Sequence, residues 1–167
     1  MVKRAVLWIL TFAALAIPAL ASNEDIVGWQ DAKWGMNPEE VQKILKYTTR
    51  TADLSKVCGE KCEEGAALEL EDYVLDGQHF MVRFWFTKTD VRLHTVSMYS
   101  TKFDNTAFTK MKIFFENSYG PAKSTGLKRG YFTVIWELPS TKITLFSNTT
   151  DEMTVVYDKR TTENPGP

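Results

Sequence analysis

Two arginines, a tryptophan and a histidine are the side chains whose types and spacing could do chemistry together. Arg83 and Trp85 lie in one predicted strand, and Arg92 and His94 lie in the next. A two-residue turn at Lys88–Thr89 would pair Trp85 with Arg92 and Arg83 with His94. Arginine and tryptophan are enriched at the centres of binding interfaces, and a histidine could make binding sensitive to pH. We therefore predict a binding patch of these four residues, with the alternative that Arg92 only shields the Trp85 ring.

The two cysteines, Cys58 and Cys62, are the next candidates for chemistry. Their C-x3-C spacing favours a local disulfide in an oxidising compartment, which would stabilise the protein by about 2 kcal/mol because the closed loop is small. The spacing lacks the histidine of a haem-attachment motif and is not the C-x2-C of a redox site. Since no histidine is near in sequence, we expect neither a metal ion nor another cofactor.

Catalytic motifs are absent from the sequence, which contains no G-x-S-x-G elbow, no H-E-x-x-H helix and no glycine-rich phosphate loop. In the predicted register His79 and His94 lie two pairs apart, which is too far for a simple two-histidine site. Residues 126–130 carry two positive charges and are predicted to be a loop that leads into a strand. The sequence therefore predicts that the protein is not an enzyme.

The first 21 residues have the pattern of a secretory signal peptide. Lys3 and Arg4 form its positive start, an apolar run follows, and Ala19 and Ala21 have the spacing of a cleavage site. The apolar run is short for a membrane span of about 20 residues, and no cysteine for lipid attachment follows Ala21. We expect cleavage after Ala21, a periplasmic or secreted protein, and no stable membrane insertion after cleavage.

The rest of the chain has the size and composition of one domain. Residues 22–160 are predicted to form it, and residues 161–167, which are polar and rich in proline and glycine, are predicted to be a disordered tail. The whole chain has a formal net charge of −1. That balance argues against a nucleic-acid partner, which would require a basic patch. The oligomeric state is left open.

Two helices have start signals in the sequence. Asn37 and Glu40 have the spacing of a capping box and enclose a proline at the first helical position. This pattern predicts a helix over residues 38–47. Asp104 is the predicted cap of a second helix, which should end before Gly120 because a glycine and a proline follow each other there.

Alternating apolar and polar residues predict three strands after each helix. The predicted strands are 68–75, 79–87 and 91–100 after the first helix and 131–138, 142–147 and 153–159 after the second. Residues predicted to face the core are Phe80, Val82, Phe84, Phe86, Val91, Leu93 and Trp136. We expect an α+β fold in which two helix-plus-three-strand units form an antiparallel sheet with both helices packed on one face.

The first predicted hairpin contains a conflict. A two-residue turn at Asp76–Gly77 would place Glu69 on the core side of the sheet. A three-residue loop would instead turn Leu68, Leu70 and Val74 inward, and this is the alternative that we prefer. A β-bulge would have the same effect.

The segment W-G-M-N-P-E-E-V-x-x-x-L over residues 34–45 resembles the helix start of a class of small secreted bacterial domains. Further matching segments are F-W-F-T-K-T-D-V-R-L-H-T-V-S-M over 84–98, Y-G-P over 119–121 and W-x5-K-I-T-L over 136–145. The arrangement is similar to the β-lactamase-inhibitory-protein-like fold, which the outer-membrane assembly lipoproteins of the SmpA/OmlA type share. The resemblance implies a protein-binding or envelope-assembly role and carries over no functional residue. The lipobox cysteine of the lipoproteins is missing.

These observations together predict a non-catalytic binding module whose partner is another envelope protein. The alternative is a small-ligand carrier with an apolar pocket between the sheet and the helices, near Phe84, Phe108 and Met111. An enzyme of unknown type is the third possibility.

Overall fold

The computed structural model describes residues 25–45, 49–51, 64–102, 106–128, 130–148 and 152–161. Several predicted features lie outside these ranges. They are the signal peptide (1–21), the cysteines Cys58 and Cys62, the predicted cap Asp104, and the tail beyond residue 161.

Two helices are present in the described residues, α1 (Pro38–Ile44) and α2 (Ala107–Tyr119). α1 begins at the predicted capping box, which is confirmed. The Glu40 N–H donates to Asn37 Oδ1 (2.9 Å) and the Asn37 N–H donates to Glu40 Oε2 (2.8 Å). α2 ends where predicted, and its N-cap position is Thr106.

Ten strands make up most of the described structure. They are β1 (Gly28–Trp29), β2 (Ala32–Lys33), β3 (Thr49–Thr51), β4 (Glu64–Leu75), β5 (Gln78–Thr87), β6 (Leu93–Ser100), β7 (Ser124–Lys128), β8 (Tyr131–Glu137), β9 (Thr141–Ser147) and β10 (Met153–Lys159). β1 and β2 form a two-stranded sheet, and the others form one antiparallel sheet in the order β3-β4-β5-β6-β10-β9-β8-β7.

The predicted fold class, two helix-plus-three-strand units, is wrong. The described structure is mostly β-sheet, and β1, β2, β3 and β7 were not predicted. β1, β2 and β3 are two or three residues long, too short for an alternating pattern to be visible. β7 has the sequence S-T-G-L-K, in which a central glycine weakens the strand signal.

Both helices bury apolar side chains in one core with one face of the large sheet. Val41 of α1 and Met111 and Phe115 of α2 are fully buried. The strands contribute a matching buried set, Phe80, Val82, Phe84, Phe86, Leu93, Val134, Trp136, Ile143 and Leu145. We call this side of the sheet the helix face, and the opposite side, which carries Glu69 and Arg83, the open face.

In the β4–β5 hairpin, a β-bulge determines which residues of β4 face the core. Its turn has two residues, Asp76 (φ 47°) and Gly77 (φ 76°), so the preferred three-residue loop is wrong. A register shift between Leu70 and Tyr73 turns Leu70 toward the core and leaves Glu69 on the open face. Val74, which was predicted to point inward, is 50% exposed.

The β5–β6 connection is longer than the predicted two-residue turn. β5 ends at Thr87 and β6 begins at Leu93, and the Thr87 N–H donates to the Arg92 carbonyl oxygen (2.9 Å). Val91 lies in this connection and is 42% exposed, so its prediction as a core residue is wrong. A register shift after Trp85 accompanies the longer connection.

Candidate functional site

The four residues of the predicted binding patch do not form the predicted cross-strand pairs. Arg83 and Trp85 lie on the open face of β5, where they pair with Ser97 and Thr95 rather than with His94 and Arg92. The predicted cross-strand pairs are therefore wrong, because they assumed the shorter turn. Arg92 precedes β6 in the chain, and its guanidinium donates a hydrogen bond to the main-chain oxygen of Gly35 (3.2 Å).

Arg83 and Trp85 are held within the open face and expose little surface. Trp85 is 6% exposed, and its indole Nε1 donates to Ser97 Oγ (3.0 Å). Arg83 Nε donates to Glu69 Oε1 (2.7 Å), and the guanidinium carbon lies 5.2 Å from the centroid of the Tyr99 ring. Since both side chains bind within the sheet, a partner would reach little of either. Their role in binding stays a prediction.

The two histidines occupy separate places in the sheet. His79 Nδ1 lies 2.5 Å from Asp72 Oδ1, and this hydrogen bond lowers the pKa of the Asp72 carboxyl. His94 Nδ1 lies 3.0 Å from Thr95 Oγ1, which donates to Asp158 Oδ1 (2.9 Å). Among the described residues, no three His, Cys, Asp or Glu side chains are grouped so that they could hold a metal ion.

An apolar groove of about 380 Å³ lies between α2 and the strands β7 and β8. Its apolar lining comes from Phe108, Leu127, Phe132 and Val134, with Lys112 at the helix. Leu127 is 66% exposed and Phe132 is 48% exposed, and the rings of Phe108 and Phe132 have centroids 6.4 Å apart. The helix face is therefore incompletely covered at this end of the sheet.

β7, which forms one wall of this groove, is the last strand of the sheet. Lys128 pairs with Tyr131 across the two residues that join β7 to β8. In such a hairpin the pair next to the turn exchanges hydrogen bonds, and pairs alternate from there. The N–H and C=O groups of Thr125 and Leu127 therefore point away from β8, toward the outside of the sheet. The sequence interpretation missed this edge because it took residues 126–130 for a loop.

A second cavity, of about 350 Å³, lies at the C-terminal end of α2. Lys123 and Glu137 line it and pair with each other, since Lys123 Nζ lies 2.5 Å from Glu137 Oε2. This hydrogen bond lowers the pKa of the Glu137 carboxyl. Of the trio predicted to form a ligand pocket, Phe84 and Met111 are fully buried, and Phe108 lines the apolar groove.

In the part of the chain that the structure describes, neither helix has the length and apolarity needed to cross a membrane.

No protein-family model and no curated protein matches the chain. Among solved structures, the chain is similar to a DUF4309 family protein (YjgB) from Bacillus subtilis, with a TM-score of 0.44 and 8% sequence identity. The match covers 74% of this chain and 78% of that one. A likeness at this level establishes neither a shared fold nor a shared function.

Proposed function

We propose that the protein is a non-catalytic binding module of the bacterial periplasm, and that it binds an extended segment of another envelope protein beside β7. The observation that supports this most is the apolar groove next to an edge strand. The signal-peptide pattern of residues 1–21 supports the compartment. The resemblance of residues 34–45 to small secreted domains supports a role in the envelope.

Strand addition is the binding mode that this geometry favours. An added strand takes its hydrogen bonds from the main chain of the edge strand and its specificity from pockets for alternate side chains. The outward main-chain groups of Thr125 and Leu127 would supply the hydrogen bonds. Every second side chain of the added segment would then enter the groove beside Phe108 and Phe132.

The groove favours a partner segment over a second copy of this chain. In a pairing of two β7 strands, each copy would bring only Thr125 and Leu127 to the helix face, since these pair with Val134 and Phe132 on that face. Of these two residues only Leu127 has a large apolar side chain, so a second copy would supply just one such side chain to a groove of about 380 Å³. We therefore expect a partner segment with large apolar residues at two or more alternate positions.

Selection from a displayed library of short random peptides tests this proposal. We expect the selected peptides to carry apolar residues at alternate positions and to bind the purified protein through β7. Thr125→Pro removes an outward N–H while leaving the bonds to β8 intact, so it should abolish binding. Phe132→Gln should weaken binding by about tenfold or more, as expected for a central apolar contact.

Two control variants show whether a loss of binding is specific to the groove and to the main chain of the edge strand. Thr125→Val retains the main-chain N–H, and Tyr131→Gln removes an aromatic side chain from the other face of β8. Both should bind the selected peptides as the unchanged protein does. Peptides that bind Thr125→Pro and Phe132→Gln as tightly as they bind the unchanged protein would contradict the proposal. A library that yields no binder would also contradict it.

A further inference from the structure

Five aromatic side chains surround a cavity of about 180 Å³ on the helix face. They come from separate elements: Trp29 from β1, Tyr73 from β4, Tyr157 from β10, and Phe114 and Tyr119 from α2. The Trp29 and Tyr73 rings lie 4.9 Å apart with an angle of 65° between their planes. The edge of one of these two rings therefore packs against the face of the other.

Tyrosine hydroxyl groups make the lining of the cavity partly polar, but the described lining carries no charge. None of the described residues that line it is charged. Burial raises the pKa of the Tyr157 phenol well above its usual value, and burial likewise raises the pKa of Tyr119. Both phenols therefore stay protonated at neutral pH. The Tyr73 hydroxyl accepts a hydrogen bond from Gln30 Nε2 (2.7 Å).

The β1–β2 hairpin, which borders the cavity, has an unusual backbone conformation. Gln30, at its turn, has a φ of 53°, a left-handed conformation that non-glycine residues seldom adopt. A Cβ at Gly28 would lie 2.0 Å from the carbonyl oxygen of Ala32, so only glycine permits this approach of the two strands. The sequence thus accepts local strain in the segment that places Trp29 and Gln30 against the cavity.

We propose that this cavity binds a quaternary ammonium group. The faces of tryptophan, tyrosine and phenylalanine rings attract cations, and cages of such rings recognise quaternary ammonium ligands. A quaternary ammonium has no N–H that needs an acceptor, so it fits a site whose described lining residues include no carboxylate. A lysine-type ammonium is strongly hydrated and has three donors, and an anion would meet no described positive charge in the lining.

The size of the cavity supports the same class of ligand. A cavity of roughly 150 Å³ holds benzene, and a trimethylammonium group is of similar size. The site therefore suits such a head group and excludes a drug-sized molecule, which needs about 300 Å³ or more. Free choline-type molecules and phosphocholine lipid head groups carry this same group. The cavity shares none of its lining residues with the apolar groove, so this inference is independent of the proposed strand-binding function.

Titration calorimetry with choline and with 3,3-dimethylbutan-1-ol, its uncharged isostere, tests the proposal on the purified protein. We expect choline to bind and the isostere to bind more weakly by about fivefold or more, because only choline gains the cation–π attraction. Phosphatidylcholine vesicles and phosphatidylglycerol vesicles form a second arm. Retention on phosphatidylcholine alone would assign the site to a lipid head group, and binding of choline alone would assign it to a free ligand.

Two tyrosine substitutions locate the binding. Tyr73→Leu removes one aromatic ring from the lining of the cavity and should weaken choline binding by about fivefold, whereas Tyr131→Leu, the same change outside the cavity, should leave it unchanged. Thermal unfolding verifies that both variants are folded. Equal binding of choline and its isostere would overturn the proposal in favour of a neutral apolar site. Binding of neither, or equal effects of the two substitutions, would overturn it outright.

Discussion

The ion pair between Arg83 and Glu69 is largely buried on the open face of the sheet. The Arg83 side chain is 17% exposed and that of Glu69 is 5% exposed. Removing charges from water costs free energy that the pairing must offset. The two residues therefore depend on each other more than a surface ion pair would. The Arg83–Glu69 ion pair therefore has a structural role within the sheet that does not depend on a binding partner.

Arg83→Met should lower the free energy of unfolding by about 3 kcal/mol, because it leaves the Glu69 carboxylate buried without the guanidinium. The double variant Glu69→Leu/Arg83→Met removes both charges, and we expect it to be more stable than the single variant. Denaturant unfolding of the three proteins measures the difference. A double variant that is less stable than Arg83→Met would show that the pair is not the source of the loss.

Tyr157 makes the stability of the protein sensitive to alkaline pH. Tyr157 is 5% exposed, and burial raises the pKa of its phenol in the folded state. The unfolded chain ionises this group near pH 10, whereas the folded chain resists ionisation. The contribution to stability is thus fully present below about pH 10 and is lost as the pH rises further.

Tyr157→Phe should reduce this alkaline loss, since phenylalanine does not ionise. Phenylalanine retains the aromatic ring, so the stability at neutral pH should change by less than about 1.5 kcal/mol. Urea unfolding at about pH 8 and about pH 11 compares the two proteins on both sides of the tyrosine pKa. If the unchanged protein and the variant lose equal stability over this range, Tyr157 does not carry the effect.

Among the elements, α1 begins at a capping box formed by Asn37 and Glu40. Each side chain satisfies a main-chain N–H of the other residue at a helix start, where no carbonyl within the helix is in reach. Because α1 has only seven residues, its own hydrogen bonds stabilise it little. The cap and the burial of Val41 must therefore hold it.

Asn37→Ala should lower the free energy of unfolding by about 1 kcal/mol, because the cap to the Glu40 N–H is lost. Asn37→Asp retains an acceptor and places a negative charge at the helix N-terminus, so it should cost little. Thermal unfolding of both variants at neutral pH provides the comparison. Equal stability of Asn37→Ala and Asn37→Asp would argue against the cap.

Elements with local signals could be predicted from the sequence, and elements that depend on register could not. The start of α1 and the core position of Trp136 follow from neighbouring residues, and both predictions are confirmed. The β5–β6 pairing was wrong because the connection from Thr87 to Leu93 is longer than the predicted two-residue turn and because the register shifts between Trp85 and Phe86. Such a shift costs little locally and leaves no mark in an alternating pattern.

At the scale of the whole molecule, the apolar groove exists because α2 does not cover the full width of the sheet. Phe108 packs near Phe132, yet Leu127 on β7 extends beyond the helix and stays exposed. The groove could not be predicted from the sequence, since it requires β7 to be recognised as an edge strand. It also requires the position of α2 on the sheet, which no local pattern contains.

Site-specific photo-crosslinking in cells that export the protein tests the central claim, strand addition at β7, most directly. A benzoylphenylalanine replaces either Leu127, beside the edge, or Ile113, which is 50% exposed on α2 and serves as the control position. We expect Leu127 to cross-link to one extended segment of another envelope protein, Ile113 to give no such product, and Thr125→Pro to abolish the cross-link. The same products from both positions, cross-linking of Leu127 only to a second copy of this chain, or no product at all would contradict the claim.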